Sequence, residues 1–300
     1  DYGEGSSIMQ ERSHAFAMKS QMWLLDPRPN LPSIVQAVKQ GFELSEASHT
    51  PVMLQLRIRV CHVHGEFIAA DNITPAFTVR DALATPVRDV SRIVLPPASF
   101  LHEHEKIAQR WPAAQRFIEE RGLNEFIAEG ADDIGIIVQG GSYNTLMRAL
   151  LSLGVADVYG RSSVPVYVMN VAYPVIDNEV RRFCDGKRAV LMVEEGQPNF
   201  IEQNIATILR QAGSPTLLHG KDMLPTGGEY TAQVLLKGVR SFLERHGRIQ
   251  AQAVATGGAA AAEAPMPGTA SAGAAAPVPS TSALATSTST PSGRDCVIPL

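Results

Sequence analysis

The sequence has few cysteines and lacks any long apolar run. Its 300 residues include three cysteines, Cys61, Cys184 and Cys296, and none of them forms a C-x-x-C pair. This spacing argues against a disulfide framework, a zinc knuckle or an iron–sulfur motif within the chain. No apolar run approaches the roughly 18 residues that cross a bilayer, and the first residues lack the pattern of a signal peptide. We therefore expect a cytoplasmic protein with no membrane partner.

The chain also has no large excess of positive or of negative residues. The formal net charge is -4, and no cluster of Lys or Arg is interleaved with aromatic residues. These features argue against a nucleic-acid surface. Hydrophobic residues make up 45% of the chain, which is enough for a sizeable core and predicts two domains.

The remaining pattern alternates helices with strands. Apolar residues at helical spacing predict a helix over 31–47, and alternating polarity predicts a strand over 52–60. From Asp133 onward, strands are predicted in 134–141, 164–175, 188–196 and 215–220. Helices are predicted in 142–154, 177–186, 199–213 and 231–247, with caps at Ser142 or Asn144, at Asn199 and at Thr231. This order predicts an α/β fold with a parallel sheet covered on both faces.

Composition divides the chain further. We expect the C-terminal part of one α/β domain in 1–70 and a connector in 71–130, whose helix bends near Pro112 and stops at Gly122. A second α/β domain is predicted in 131–247. Residues 248–294 are rich in Ala, Pro, Ser and Thr and predict a disordered linker, and 295–300 would begin a further domain. We therefore expect a fragment of a longer polypeptide. The alternative is a disordered tail that ends in a short docking motif.

Three motifs place chemistry-bearing residues near strand ends. Gly140 and Gly141 lie between a strand and a helix, but they match neither a dinucleotide nor a P-loop pattern, so a tight turn is the better explanation. His62, His64 and Glu66 would share one face of a continuing strand and could bind zinc. No second cluster completes a shell, so no metal ligand is predicted.

Glu194 and Glu195 end a predicted parallel strand, where α/β sheets present ligand-binding groups. The favoured interpretation is a carboxylate that accepts bonds from the next helix N-terminus, or that pairs with an arginine at a domain interface. No G-x-S-x-G elbow is present, so a serine hydrolase of that type is unsupported.

Six segments in this order resemble one enzyme family: "SSIMQERSHAFAM", "FELSEASHTPVMLQLRIRVCH", "DDIGIIVQGGSYN", "VMNVAYPVIDNEVRRF", "LMVEEGQPNFIEQNI" and "GKDMLPTGGEYTAQVL". From about Gly3 to Gly247 the chain resembles the thiamine-dependent 2-oxoacid:ferredoxin oxidoreductases, and among them the large (alpha) subunits of the indolepyruvate ferredoxin oxidoreductases. The resemblance implies oxidative decarboxylation of indolepyruvate or another arylpyruvate to the arylacetyl-CoA, with electrons passed to ferredoxin. It also implies that 1–70 is the end of a thiamine-binding, pyrimidine-type domain, and that 131–247 is a transketolase C-terminal-like domain.

The resemblance implies thiamine diphosphate, magnesium and iron–sulfur clusters as cofactors, although their main motifs are absent from this chain. It implies ferredoxin, CoA and an aryl 2-oxoacid as partners, in an oligomer with a second subunit or a fused domain. The fragment alone is expected to be inactive.

Where family members carry "SSQNEQDSR", this chain has "SSIMQER", so that Ser6, Ser7 and Arg12 match. Ser6 and Ser7 are implied as cofactor-binding residues, and Arg12 as the group that binds the substrate carboxylate, because its planar fork can donate two parallel bonds.

Two rival functions stay open on the sequence. One is another thiamine enzyme, of the transketolase or 2-oxoacid dehydrogenase type. The other is a non-catalytic α/β assembly module in which "QGGSYN" and "VEEG" are only turns. For Arg12, the alternative is an ordinary surface position on an exposed helix turn.

Overall fold

The computed structural model describes residues 13–86, 90, 93–128 and 132–250. Within these ranges the α-helices are α1 Ser13–Ser20, α2 Leu31–Ser48, α3 Ile58–Cys61, α4 Val79–Ala84, α5 Ala98–Glu105, α6 Trp111–Arg121, α7 Tyr143–Ser152, α8 Asp177–Cys184, α9 Phe200–Gln211 and α10 Ala232–Arg245. The strands are β1 Trp23–Leu25, β2 Val52–Leu54, β3 Glu125–Ile127, β4 Ile134–Gln139, β5 Val166–Met169, β6 Val171–Tyr173, β7 Ala189–Val193 and β8 Leu217–His219. The described residues divide into a large unit within Asp1–Asn72 and Asp89–Ala251, which holds all these strands, and a small unit within Ile73–Arg88 around α4.

The larger sheet has five strands in the order β3-β5-β4-β7-β8. The three pairs β5-β4, β4-β7 and β7-β8 are parallel, and only β3 runs antiparallel. Alternate side chains of its central strands point to opposite faces. Ile137 packs with the cluster that contains α8 and α9, whereas Ile136 and Val138 pack with the cluster of α7 and α10. The predicted α/β class, with a mainly parallel sheet covered on both faces, is confirmed.

The smaller sheet has the order β2-β1-β6, with β1 parallel to β2 and antiparallel to β6. Only Asn170 separates β5 from β6, so the chain passes directly from the large sheet into the small one. The single strand predicted over 164–175 is therefore wrong: it is two strands in two sheets. Because β1 opposes β6, the carboxyl ends of β1 and β2 point toward the carboxyl ends of β4, β5 and β7. The domain boundaries proposed above stay predictions.

The predicted strand over 52–60 is also wrong beyond Leu54. Gln55 still donates to the Leu25 carbonyl (2.8 Å), but the chain then turns, and α3 begins at Ile58. Burial over this turn runs against the alternating pattern, since the apolar Leu56 is exposed and Arg57 is buried.

The helix termini follow the expected capping chemistry in part. Thr231 caps α10 by accepting from the Val234 amide (3.4 Å), as predicted. The long connector helix is interrupted by a π-helical turn over Lys106–Arg110 and ends at Gly122, whose φ of 59° suits glycine. Ser142 and Asn199 occupy the N-cap positions of α7 and α9 as predicted, but neither side chain makes a capping bond, and the alternative cap Asn144 lies inside α7.

Residues 62–78 carry no helix or strand. The small unit contributes α4, which has a complete capping box between Thr78 and Asp81. Within the ranges described, none of the helices combines the length and the apolar character needed to cross a membrane.

Candidate functional site at the facing carboxyl ends of the two sheets

Polar residues meet where the carboxyl ends of the two sheets face each other. Asp26 directly follows β1, Gln139 ends β4, Asn170 follows β5, and Glu195 lies just beyond β7. The backbone joins the sheets here, since the Asp26 amide donates to the Asn170 carbonyl (2.7 Å). This is the edge at which α/β sheets place ligand-binding groups, and it is the candidate site of the described chain.

Arg57 is the centre of a buried ion-pair network at this edge. Its Nη2 lies 2.7 Å from Asp26 Oδ2 and its Nε 3.4 Å from Asp26 Oδ1, so one carboxylate faces two nitrogens of the guanidinium. Its Nη1 donates to Glu195 Oε2. Only 5% of the Arg57 side chain is exposed, and the values for Asp26 and Glu195 are 1% and 0%. The three charged groups are therefore shielded from water and depend on one another.

Arg59 completes the network from the rim. Its Nη2 donates to Glu195 Oε1, and its Nη1 donates to the Tyr230 carbonyl (3.1 Å). The Tyr230 amide donates to the same Glu195 oxygen (2.6 Å). Both oxygens of Glu195 are thus occupied by donors, and Arg59 Nη2 also lies 3.7 Å from Glu229 Oε1.

The pKa values follow from this balance of charge. Burial opposes the ionisation of Glu195, but Arg57 and Arg59 outweigh it and hold the pKa of this carboxyl below its usual value. Burial alone would lower the pKa of Arg57, but Asp26 and Glu195 outweigh it and raise that pKa above its usual value. Both groups stay ionised at neutral pH. Since Glu195 has no free oxygen, it acts as an anchor rather than as a general base.

Two glycines make the close approach possible. A Cβ on Gly140 would lie 2.0 Å from the Asp26 carbonyl oxygen, and one on Gly141 would lie 2.5 Å from Arg57 Nε. Any side chain here would displace the network or the end of β1. The prediction of a tight turn is confirmed as a 3-10 turn over Gly140–Ser142.

Glu194 caps the helix that follows it. Its Oε1 accepts from the Ile201 amide (3.2 Å) and its Oε2 from the Glu202 amide (2.9 Å), at the positive end of α9. Both interpretations favoured from the sequence are therefore confirmed, one for each residue: Glu194 serves the helix N-terminus, and Glu195 pairs with arginines.

The predicted site residues Arg12, Ser6 and Ser7 lie outside the described residues. His14, two positions after Arg12, is buried in α1. Its ring stacks on Phe200, the first residue of α9 (centroids 6.0 Å apart), and meets the edge of Tyr173 (5.9 Å). The start of α1 thus packs against the start of the helix that follows Glu194 and Glu195.

The histidine motif does not form a strand face. His62, His64 and Glu66 follow α3 and are exposed. Over the described ranges, no three His, Cys, Asp or Glu side chains are grouped closely enough to hold a metal ion.

Sequence reasoning missed Arg57 and Arg59 as partners of Glu195, and Asp26 as the second partner of Arg57. The available signal was a pair of arginines two residues apart after an apolar strand, together with paired acids at the end of another strand. Arg57 and Glu195 are 138 positions apart, so no local pattern joins them.

A cavity of about 310 Å³ lies beside the site, between the end of β1, the first half of α2 and the segment before β3. Its polar lining includes Gln36, Gln40, Glu125 and Asn170. Asn170 Nδ2 donates to Glu125 Oε1 (2.8 Å), which also pairs with Arg28 (3.0 Å). The size of the cavity suits a small ligand.

Comparison with known proteins finds a family model that matches part of this chain. Residues 124–215, from just before β3 to just after α9, match the family model described as the indolepyruvate ferredoxin oxidoreductase middle domain. The resemblance predicted from the sequence is confirmed. Indolepyruvate oxidoreductase subunit IorA of Methanothermobacter thermautotrophicus is 27% identical over 242 residues, covering 78% of this chain and 36% of its own. The subunit of the same name from Thermococcus kodakarensis is 27% identical over 240 residues, with coverages of 79% and 36%.

The chain thus spans about a third of the length of the curated relatives it matches. Among solved structures, a 2-oxoglutarate:ferredoxin oxidoreductase from Magnetococcus marinus aligns with a TM-score of 0.33 at 19% identity. The alignment covers 48% of this chain and 23% of that one. This likeness is too shallow to bear on fold or function.

Proposed function

We propose that this chain is part of an indolepyruvate-type 2-oxoacid:ferredoxin oxidoreductase. The reaction converts an aryl 2-oxoacid and CoA into the arylacetyl-CoA and CO2, and two electrons pass to ferredoxin. The proposal depends chiefly on the match of residues 124–215 to the middle domain of that family, because these residues include Glu195 and four of the five strands of the large sheet. The proposed location is the cytoplasm.

The cofactors of the proposed reaction are thiamine diphosphate, magnesium and iron–sulfur clusters. The described residues do not fit the diphosphate. The glycine turn that might cradle it is already filled, since a Cβ at Gly140 would touch the Asp26 carbonyl and one at Gly141 would touch Arg57. We therefore assign no cofactor contact to the described part of this chain. A second subunit or a fused domain is the proposed source of those contacts.

Arg12 is the proposed substrate-binding residue. It lies two positions before His14, whose contact with Phe200 fixes the start of α1 beside the helix that follows Glu195. A guanidinium at this edge can bind the carboxylate of a 2-oxoacid with two parallel hydrogen bonds. Ser6 and Ser7 are proposed to bind the cofactor from the preceding turn.

The ion-pair network has a positioning role in this proposal. Arg57, which follows the small sheet, joins it to Glu195 of the large one, and Arg59 joins the segment at Tyr230 to Glu195. A hydrogen-bonded ion-pair network of this kind holds these segments in one arrangement, which a substrate site needs if its groups are to stay aligned.

The test uses the native protein that carries this chain, purified without oxygen together with its partner subunits. We expect reduction of ferredoxin that depends on both indolepyruvate and CoA. Replacing a bidentate arginine removes two charge-assisted bonds, so Arg12→Ala should raise KM for the 2-oxoacid by about tenfold or more. Arg12→Lys should restore part of this loss, because it keeps the charge but not the fork.

The matched control is Arg161→Ala, which removes an exposed guanidinium from a surface turn and should leave KM unchanged. An unchanged KM in Arg12→Ala would remove Arg12 from the substrate site. Activity on sugar phosphates instead would favour the transketolase class. A native complex with neither activity would favour the assembly module.

A further inference from the structure

A second cavity lies at the opposite edge of the large sheet. It has a volume of about 770 Å³ and is bounded by the end of α8, the entry to β7 and the turn between α9 and β8. Four cationic side chains line it: Arg181, Arg182, Lys187 and Arg188. Asp185 is the one acid among the lining residues. We call this the basic cavity. The length of β7, about 17 Å, separates it from the site at the carboxyl ends.

Part of this positive charge is accounted for by the fold. Arg188 is fully engaged, with Nε 2.6 Å from Asp133 Oδ2 and Nη2 donating to the His246 carbonyl (2.6 Å). Arg181 and Arg182 lie in the last turn of α8, where the helix dipole favours cations. Arg182 also lies over the ring of Phe126, 4.2 Å from its centroid. These residues alone do not imply a ligand.

Lys187 is different because it is buried without a counter-charge. Only 5% of it is exposed. Its ammonium lies 5.1 Å from the centroid of Phe183, and no carboxylate in the described part of the chain is within salt-bridge distance of it. Buried charges are normally paired, because taking an ammonium out of water costs free energy that a ring face repays only in part.

The surrounding structure is shaped to keep Lys187 in this place. Gly135 of β4 leaves the space in which it packs, since a Cβ there would lie 2.8 Å from Phe183 and 3.1 Å from Lys187 Cδ. Gly135 has no unusual backbone angle, so its missing side chain is what this position uses. The Thr216 hydroxyl contacts the carbonyls of Lys187 (2.7 Å) and Cys184 (3.1 Å), which fixes the turn that carries the lysine.

We propose that the basic cavity binds a phosphate-bearing small molecule through Lys187, with Arg181 and Arg182 at its mouth. Phosphate is the anion that best matches a point-charge ammonium beside two guanidinium forks. The volume of the cavity is within the range of small-molecule sites and exceeds what a single phosphate needs. A concave cavity with a buried lysine suits a small ligand better than a protein surface. The cavity is remote from the carboxyl-end site. Its ligand therefore regulates or stabilises the protein and is not a substrate.

The experiment is a titration of the full 300-residue chain with inorganic pyrophosphate, followed by calorimetry and by the melting temperature. We expect binding that weakens as salt is raised, and a melting temperature that rises with pyrophosphate. Lys187→Met keeps the stem and removes the charge. It should weaken binding by at least about tenfold, and it should leave the ligand-free protein no less stable than the wild type.

Lys237→Met is the matched control, because Lys237 is an exposed lysine of α10 that is distant in sequence from the cavity. This variant should bind pyrophosphate as the wild type does. Unchanged pyrophosphate affinity in Lys187→Met would overturn the proposal. So would a marked loss of stability in the ligand-free variant, which would mean that Lys187 is retained for its contact with Phe183. Binding of polyglutamate without any response to pyrophosphate would also overturn it, in favour of an acidic protein partner.

Discussion

Replacing Glu195 with glutamine tests the central claim about the site. The substitution keeps the shape of the side chain but removes the charge that faces Arg57 and Arg59. Three donors converge on its two oxygens: the two guanidinium groups and the Tyr230 amide. A glutamine has one oxygen, and its amide nitrogen would point a donor at another donor. At least one buried donor would lose its acceptor, and Arg57 would keep only Asp26 as a counter-charge.

The expected cost is about 3–5 kcal/mol of unfolding free energy, the range measured when one partner of a buried ion pair is removed. The control is Glu179→Gln, at another buried carboxylate. Asn124 and the Tyr167 hydroxyl both donate to one oxygen of Glu179, each at 2.7 Å. Since a glutamine oxygen can accept both bonds, this change should cost less than about 1 kcal/mol.

Urea unfolding at neutral pH measures both variants against the wild type. A Glu195→Gln variant no less stable than Glu179→Gln would refute the reasoning. The ion pairs would then contribute little to holding the two sheets together.

Two further predictions concern the same edge. The pKa of Glu195 lies below its ordinary value of 4.5. The ion pairs of this carboxylate therefore stabilise the folded protein fully above pH 4.5, and this stabilisation is lost as the pH falls through the lowered native pKa. Urea midpoints between neutral pH and pH 3 should therefore fall further for the wild type than for Glu195→Gln, and equal losses would contradict the ion pairing. Gly140→Ala should cost about 1–3 kcal/mol or more, because its Cβ would lie 2.0 Å from the Asp26 carbonyl. Gly227→Ala, with nothing within 4 Å, should change stability by less than about 0.5 kcal/mol, and equal effects on thermal unfolding would exclude the close approach as the cause.

Elements that stay within one helix or one sheet are predicted well from the sequence. The amphipathic period predicts the helix at Leu31–Ser48, and continuous apolar runs predict the strands at Ile134–Gln139 and Ala189–Val193, which are buried on both faces. The run over 164–175 has the same apolar character, so its composition does not show that the chain leaves one sheet for another at Asn170.

The candidate site could be predicted in part for a similar reason. Strand order places Glu194 and Glu195 at a carboxyl end, and elementary helix chemistry supplies the role of Glu194. The role of Glu195 depends on Arg57, which comes from another sheet. Its position requires that the strand stop at Leu54, against the alternating pattern. A tertiary contact decides that boundary, because an arginine turned inward toward two carboxylates is more stable than one left on an exposed strand face.

This contact also limits where a substrate can be bound. The acids that a carboxyl edge offers to a ligand are already occupied, Glu194 by the amides of α9 and Glu195 by two arginines. Arg57 is equally committed, since Asp26 and Glu195 both pair with it. A substrate carboxylate at this edge therefore needs a cation from another segment. Arg12 belongs to the segment immediately before α1, and His14 fixes the start of that helix against Phe200 at the same edge. The ion pairing of the described arginines at this edge supports the proposed role of Arg12, which stays a proposal.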